Sequence, residues 1–304
     1  MKNELTRREA LEKLARLGLA AAGTAVLSAL PGGISQAQPA ASKIVVAKDG
    51  NLYGRLINAL KPFGGIERFV RKGSKVLLKP NIGWAREPRQ AGNTNPDLVG
   101  HLVKLCYKAG AKEVCVYENP CDSYVYTFQK SGIKDAVERE GGKIFAAVTE
   151  NFYTPESVPR GKSLKQVSIV KYIREADCFI NMPIAKDHSA TKVTLGMKNM
   201  MGLIWDRGYW HGNDLDQCIA DFMTIVKPHL TIVDATRILL THGPKGPGEV
   251  KEPKTLIAGT DFVACDSYAV SLFGKKGSDI RHIQLAGKMG LGQADQGKMV
   301  IQKV

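Results

Sequence analysis

Short apolar runs rich in β-branched residues alternate with segments of helical period along most of this 304-residue chain, and that alternation restricts the fold more than any other feature. Runs such as VLL before Lys79 and CFINM at 178–182 are continuous rather than alternating. Strands of that kind are buried on both faces, as in a parallel sheet covered by its crossover helices. Strands are expected at 43–47, 75–78, 113–117, 143–148, 166–170, 177–181, 229–233, 254–258 and 299–302. Helices are expected over roughly 51–60, 97–109, 127–140, 214–227, 262–273 and 278–289. Asn95-Pro96-Asp97 places a cap and a proline at one helix start, Gly110 stops that helix, and Asp214 with Gln217 has capping-box spacing. No linker is evident, although 80–96, 151–164 and 243–253 read as long loops. The expectation is an α/β fold: a largely parallel sheet flanked by helices, with Rossmann-like layering, in a single elaborated domain spanning 38–304.

In such sheets ligands lie outside the carboxyl ends of the strands. Four expected strands leave those ends through polar groups: Lys79-Pro80-Asn81, Glu118-Asn119, Asn181 followed by Lys186-Asp187-His188, and Asp234. The richest segment is Pro183 to Gly202, where Lys186, His188, Lys198 and Asn199 cluster and Gly196 and Gly202 permit close backbone approach. Cations and amides in this pattern suit a small anion. Lys186 and His188 are the candidate catalytic pair, since a histidine beside a lysine stays neutral near pH 7 and serves as a base or a metal ligand. Lys79, Asn81, Lys198, Asn199 and Asp234 are candidate ligand-binding residues. Asp234 would orient His188, or join His188 and His211 around a divalent metal, although the three lack tight metal-motif spacing. For Lys79 the competing reading is a snorkelling surface lysine, and for Asn81 a loop cap. The methionines at 197, 200 and 201 read as core filling.

Neither a phosphate-loop signature nor G-x-G-x-x-G occurs, and G-x-S-x-G and H-E-x-x-H are also missing. The Gly- and Pro-rich stretch from His242 to Gly248 is a turn able to wrap an anion without being a nucleotide loop. Six cysteines contain no C-x-x-C pair. Five fall on apolar runs and read as core, which leaves Cys121, beside Pro120 and Asp122, as the one to watch.

At the amino terminus, Thr6-Arg7-Arg8 and Leu11 precede a mild Ala/Gly-rich run of 13 residues, Gly18 to Leu30. A membrane-crossing helix needs roughly 20 apolar residues, so the run reads as the hydrophobic region of a signal peptide. Ser35-Gln36-Ala37 offers a cleavage site. The segment 1–37 resembles a twin-arginine signal, with Ala10 and Glu12 departing from the commonest residues. That resemblance implies the twin-arginine export machinery as a partner, a periplasmic or otherwise extracytoplasmic location, no stable membrane span after cleavage, and export of an already folded chain. Cleavage would remove five Lys or Arg and three Asp or Glu, leaving a net charge of +12. The basic residues are dispersed, without a basic run or interleaved aromatics, so nucleic acid is not an expected partner.

Across the mature chain the motifs resemble those of the domain of unknown function 362 family. They are VLLKPN at 76–81 with Thr94-Asn95-Pro96, NMPIAKDH at 181–188, GMKNMMG at 196–202, HGNDLDQCIADF at 211–222, TIVDA at 231–235, GPKGPGE at 243–249 and GTDFVACDSYA at 259–269. The resemblance implies an α/β domain of largely unassigned activity, and adds Asp266 to the ligand-binding candidates. Members often carry a ferredoxin-like module with cysteines for four-iron four-sulfur clusters. This chain has no such cysteine motif, so an iron–sulfur cofactor is not expected here and a divalent metal is the cofactor left open.

Two functions follow as expectations. One is an exported enzyme acting on a small carboxylate- or phosphate-bearing substrate: Lys79, Lys186 and Lys198 hold the anion and His188 moves a proton. The other uses the same pocket without turnover, as a periplasmic carrier, a cofactor chaperone or an accessory subunit serving an exported redox partner.

Overall fold

The computed structural model describes residues 41–304, which form one α/β unit. The expected signal segment, 1–37, lies outside the described residues. Thirteen strands follow in chain order: β1 (Lys43–Ala47), β2 (Lys75–Pro80), β3 (Glu113–Glu118), β4 (Lys143–Ala146), β5 (Tyr153–Ser157), β6 (Gln166–Val170), β7 (Cys178–Met182), β8 (Ile184–His188), β9 (Lys192–Thr194), β10 (Leu230–Leu239), β11 (Val250–Lys251), β12 (Thr255–Gly259) and β13 (Val300–Lys303). The main path of the large sheet is β13-β1-β12-β10-β7-β2-β3-β4. Neighbours from β10 to β4 are all parallel, β13 is parallel to β1, and β12 alone on that path runs against the rest. Ten helices among the described residues flank this mixed, mostly parallel sheet.

Period 2 along each strand produces two cores. On β2, Val76 and Leu78 face the layer of helices Leu52–Leu60 and Pro96–Lys108, where Leu56, Leu60, Leu98 and Leu102 are buried. Leu77 between them faces the other layer, with Phe262, Ile219 and Ile283 from the helices Phe262–Ala269, Leu215–Phe222 and Arg281–Lys288. Continuous apolar runs are therefore what the sheet requires: both faces are covered.

Three expectations change. The strand at 166–170 forms, but pairs antiparallel with β5 in a separate two-stranded sheet. On β5 only Tyr153 is buried, while β6 buries Val167 and Ile169 and exposes Gln166, the mark of a half-covered hairpin. The strand at 255–259 lies antiparallel between β10 and β1, because the connection from Leu239 to Thr255 contains no helix to make a parallel crossover. The helix expected over 127–140 is two, Tyr124–Ser131 and Ile133–Arg139, divided at Gly132 in the left-handed region (φ 69°).

The largest difference lies at the carboxyl edge. β10 runs ten residues rather than five, and its second half pairs with β8 through Asp234↔Ile184 and Leu239↔Lys186. β7 pairs with the first half of β10, so β7 and β8 follow one another along the same partner, interrupted at Pro183, which has no N–H for the ladder. The segment 184–194, expected as a loop, is thus a hairpin of β8 and β9 extending past the sheet edge.

Candidate functional site

The parallel register brings several polar groups to one edge: Lys79 pairs with Asn181, and Leu78 with both Ile180 and Val116, so the ends of β2, β3 and β7 coincide. Lys79 is fully buried there. Its Nζ donates to Glu118 Oε2 (2.9 Å) and to Pro80 O (2.7 Å), and the same carboxylate oxygen accepts from Ile82 N (2.9 Å). Burial pushes the Lys79 pKa down, against the opposing pull of Glu118. Gly202 packs directly over this pair: a Cβ there would collide with Glu118 Oε1 and sit 2.7 Å from Lys79 Nζ.

Beside the pair an amide chain links three strands' worth of sequence. Asn199 Nδ2 donates to Asn181 Oδ1 (2.8 Å) and Lys79 O (2.9 Å), and Asn199 Oδ1 accepts from Asn81 Nδ2 (3.0 Å). Asn81 Oδ1 in turn accepts from Lys186 Nζ (3.0 Å), which also donates to Gly92 O (2.6 Å). Lys186 and His188 alternate with Ala185 and Asp187 on β8, so they share one face.

That face lines a cavity of about 340 Å³ together with Asn81, Lys198, Asn199 and Arg207. Lys186 has only neutral oxygens as partners, and its burial pushes the pKa down to about 7. Lys198 is 9% exposed and its Nζ has no hydrogen-bond or ion-pair partner among the described residues; burial first, then the Arg207 charge, brings it down to about 8. His188 Nδ1 accepts from Ala190 N (3.1 Å) and Thr191 N (3.3 Å), which places the proton of the neutral ring on Nε2. Burial, then Lys198 and Lys186, hold its pKa at about 3, so the ring is neutral across the physiological range. Glu118 reaches the cavity wall, but its Oε2 is engaged by Lys79 and Ile82. The carboxylate on the wall is thus already paired with Lys79, which leaves the charges of Lys186, Lys198 and Arg207 in excess.

Of the residues singled out in the sequence, Asn81, Lys186, His188, Lys198, Asn199 and His211 line this one cavity. Lys79 lies beneath it, within the buried ion pair. Asp234 does not reach it: the strand continues past Asp234, whose Oδ2 accepts from Asn95 N (2.7 Å) and Oδ1 from Thr236 N and Oγ1, fixing the start of helix Pro96–Lys108. The expected orientation of His188 by Asp234 gives way to backbone donors from the β8–β9 turn. For the same reason the metal set His188, His211 and Asp234 does not assemble, and no group of three or more potential His, Cys, Asp or Glu ligands occurs among the described residues. Asp266 accepts from Gly196 N (2.7 Å) and Met197 N (2.9 Å), so it anchors the turn carrying Lys198 instead of facing a ligand; burial raises its pKa to about 7.

Arg207 carries no motif and was not expected. Its guanidinium donates to Asn119 O (2.8 Å), Pro120 O (2.9 Å) and Cys121 Sγ (3.1 Å), tying the loop after β3 to the cavity rim. The turn His242–Gly248 folds over the hairpin: Gly243 N donates to Asp187 Oδ2 (2.9 Å), Pro244 lines the cavity, and Lys245 pairs with Asp122 (2.9 Å) beside the Trp84 ring.

Among known proteins, a thylakoid-associated protein of Synechocystis sp. is 28% identical over 238 residues, covering 71% of this chain and 68% of that protein. The structure of the lactate racemase apoprotein from Thermoanaerobacterium thermosaccharolyticum superposes with a TM-score of 0.47 at 10% identity, covering 73% of this chain and 54% of that one. The chain thus spans about half the length of that structure. The model of the family described as Domain of unknown function (DUF362) matches residues 76–271, a range that contains every residue of the cavity described above, and the chain belongs to this family.

Proposed function

We propose that the carboxyl-edge cavity binds a small anion, carboxylate- or phosphate-bearing, and that the protein is an enzyme acting on it. The observation that carries this reading is Lys198, a residue nine-tenths buried whose Nζ has no partner among the described residues, in the same cavity as Lys186 and Arg207. A buried charge is costly unless something pairs with it, and an anionic ligand supplies the pair. A cavity of about 340 Å³ suits a molecule at the small end of the range for ligand sites.

Turnover is supported by the protonation states. Lys186, at about 7, exchanges its proton near neutral pH, which suits a general acid or base, while His188 presents an Nε2–H donor to polarise a ligand oxygen. Asn81 and Asn199, locked to each other, orient the bound group. Export through residues 1–37 to an extracytoplasmic compartment belongs to the same proposal, supported by the paired arginines and the short apolar run. Among the described residues no helix is long and apolar enough to cross a membrane.

Thermal denaturation with a panel of small anions tests the reading, because a ligand that binds only the folded state raises the midpoint with concentration. Sulfate, phosphate and small carboxylates are expected to raise it well beyond chloride at equal ionic strength. Equal shifts for all salts would sink the proposal.

A further inference from the structure

Cys121 is exposed, whereas the other five cysteines are buried. Burial drives the thiol pKa of Cys106 and Cys265 far up, that of Cys178 to about 12 and that of Cys218 to about 11, so these sulfurs are inert packing groups. Cys121 differs in exposure and in place. It follows β3 at the carboxyl edge, its backbone N is fixed to Gly83 O (2.9 Å), and the loop that carries it is strapped by Arg207 through Asn119 O and Pro120 O. The second Nη1–H of the guanidinium points at Sγ, 3.1 Å away. The sulfur lines the same cavity as Lys186 and Lys198.

Two independent observations therefore meet. A cation is held against an accessible sulfur, the setting in which cysteines react as thiolates. In the same cavity Lys198, 9% exposed as a residue, has an Nζ without a partner among the described residues. We propose that Cys121 is the nucleophile of this pocket and attacks an electrophilic carbon of the small anion held by Lys198. The inference rests on the anion-binding reading. In the attack, the exposed Cys121 thiol gives its proton to solvent, the Sγ lone pair forms the S–C bond, and the bond from that carbon to its leaving group breaks, the leaving group departing with the electron pair.

Iodoacetate and iodoacetamide separate this from ordinary thiol exposure. Both undergo the same step, with iodide leaving, but only iodoacetate carries a carboxylate for Lys198. Labelling rates at Cys121 are read by peptide mass spectrometry on the reduced protein and normalised to free cysteine. The iodoacetate-to-iodoacetamide ratio is expected to exceed that of free cysteine by at least ~10-fold, in the range that focused charge gives to encounter rates. Sulfate should slow the iodoacetate reaction, and Lys198→Met should lower the ratio severalfold toward the free-thiol value, with Lys186 and Arg207 still in place. The sulfate competition is measured on the unaltered protein, so it stands even if the variant folds poorly. A ratio equal to that of free cysteine, or an unlabelled Cys121, overturns the assignment. If sulfate still raises the denaturation midpoint in that case, the anion pocket survives without its nucleophile; if sulfate neither stabilises nor competes, both readings fall.

Discussion

Lys79→Met is expected to destabilise the protein by ~3–5 kcal/mol, the usual cost of removing one partner from a buried ion pair. Methionine fills nearly the same volume, so the loss is electrostatic rather than a cavity effect. Without the ammonium, the Glu118 carboxylate remains buried at the end of β3 with Ile82 N as the remaining donor to Oε2. Gly202 closes one side of the pair, and the carboxylate meets the cavity only along its wall. Pairing the change with Glu118→Gln removes the stranded charge and should recover a good part of the loss, which a double-mutant cycle measures directly. Urea unfolding is the readout: the midpoint should fall with an unchanged slope. A variant as stable as the parent would show that the pair is not buried as described. Lys79 thus acts on the cavity through Asn199 and Glu118, by holding its floor.

Lys198→Met is expected to move stability and binding in opposite directions. In the folded chain its pKa is brought down to about 8, below the lysine value of 10.5, so the charged form is penalised by folding. That penalty is fully present below the folded pKa and vanishes above the unfolded one. Near neutral pH, removing the ammonium therefore removes a cost, and the variant should be at least as stable as the parent. Sulfate affinity should fall roughly 10–100-fold, the value of one charged hydrogen bond in a desolvated site. Calorimetric titration gives the affinity and denaturation the stability. A variant that loses both together would mark Lys198 as a structural residue instead.

The layered α/β fold was legible because continuous apolar runs are what a doubly covered sheet demands, and β1, β2, β3 and β7 begin within one residue of their expected starts. The extension of the edge was not. Ile184–His188 reads as a loop because Lys, Asp and His are poor strand formers, and its pairing partner, the second half of β10, is broken up by Asp234, Thr236 and Arg237. Tertiary pairing beyond Pro183 overrides that local signal. The same oversight misplaced Asp234: read as the end of a strand, it became a site residue, whereas the strand passes it and its carboxylate caps Asn95. Lys186, His188, Lys198 and Asn199 were readable as a cluster because all four follow β7 closely in sequence. Arg207 was not, since its role arises from contact with a loop 86 residues away at Cys121. Asp266 came only from family resemblance, and its two backbone partners give it a structural part in holding Gly196 and Met197.

The pH dependence of sulfate affinity tests the central claim most directly, because sulfate keeps one charge across the neutral range and the relevant protein groups titrate at different places. His188, held at about 3, stays neutral throughout. Lys186 and Lys198, at about 7 and about 8, lose their protons within the window. Calorimetric titrations from about pH 6.5 to about pH 9 should show affinity falling, by up to roughly tenfold per pH unit for each lysine past its pKa. Sulfate binding that is absent at the acid end, or unchanged across that range, would contradict the account.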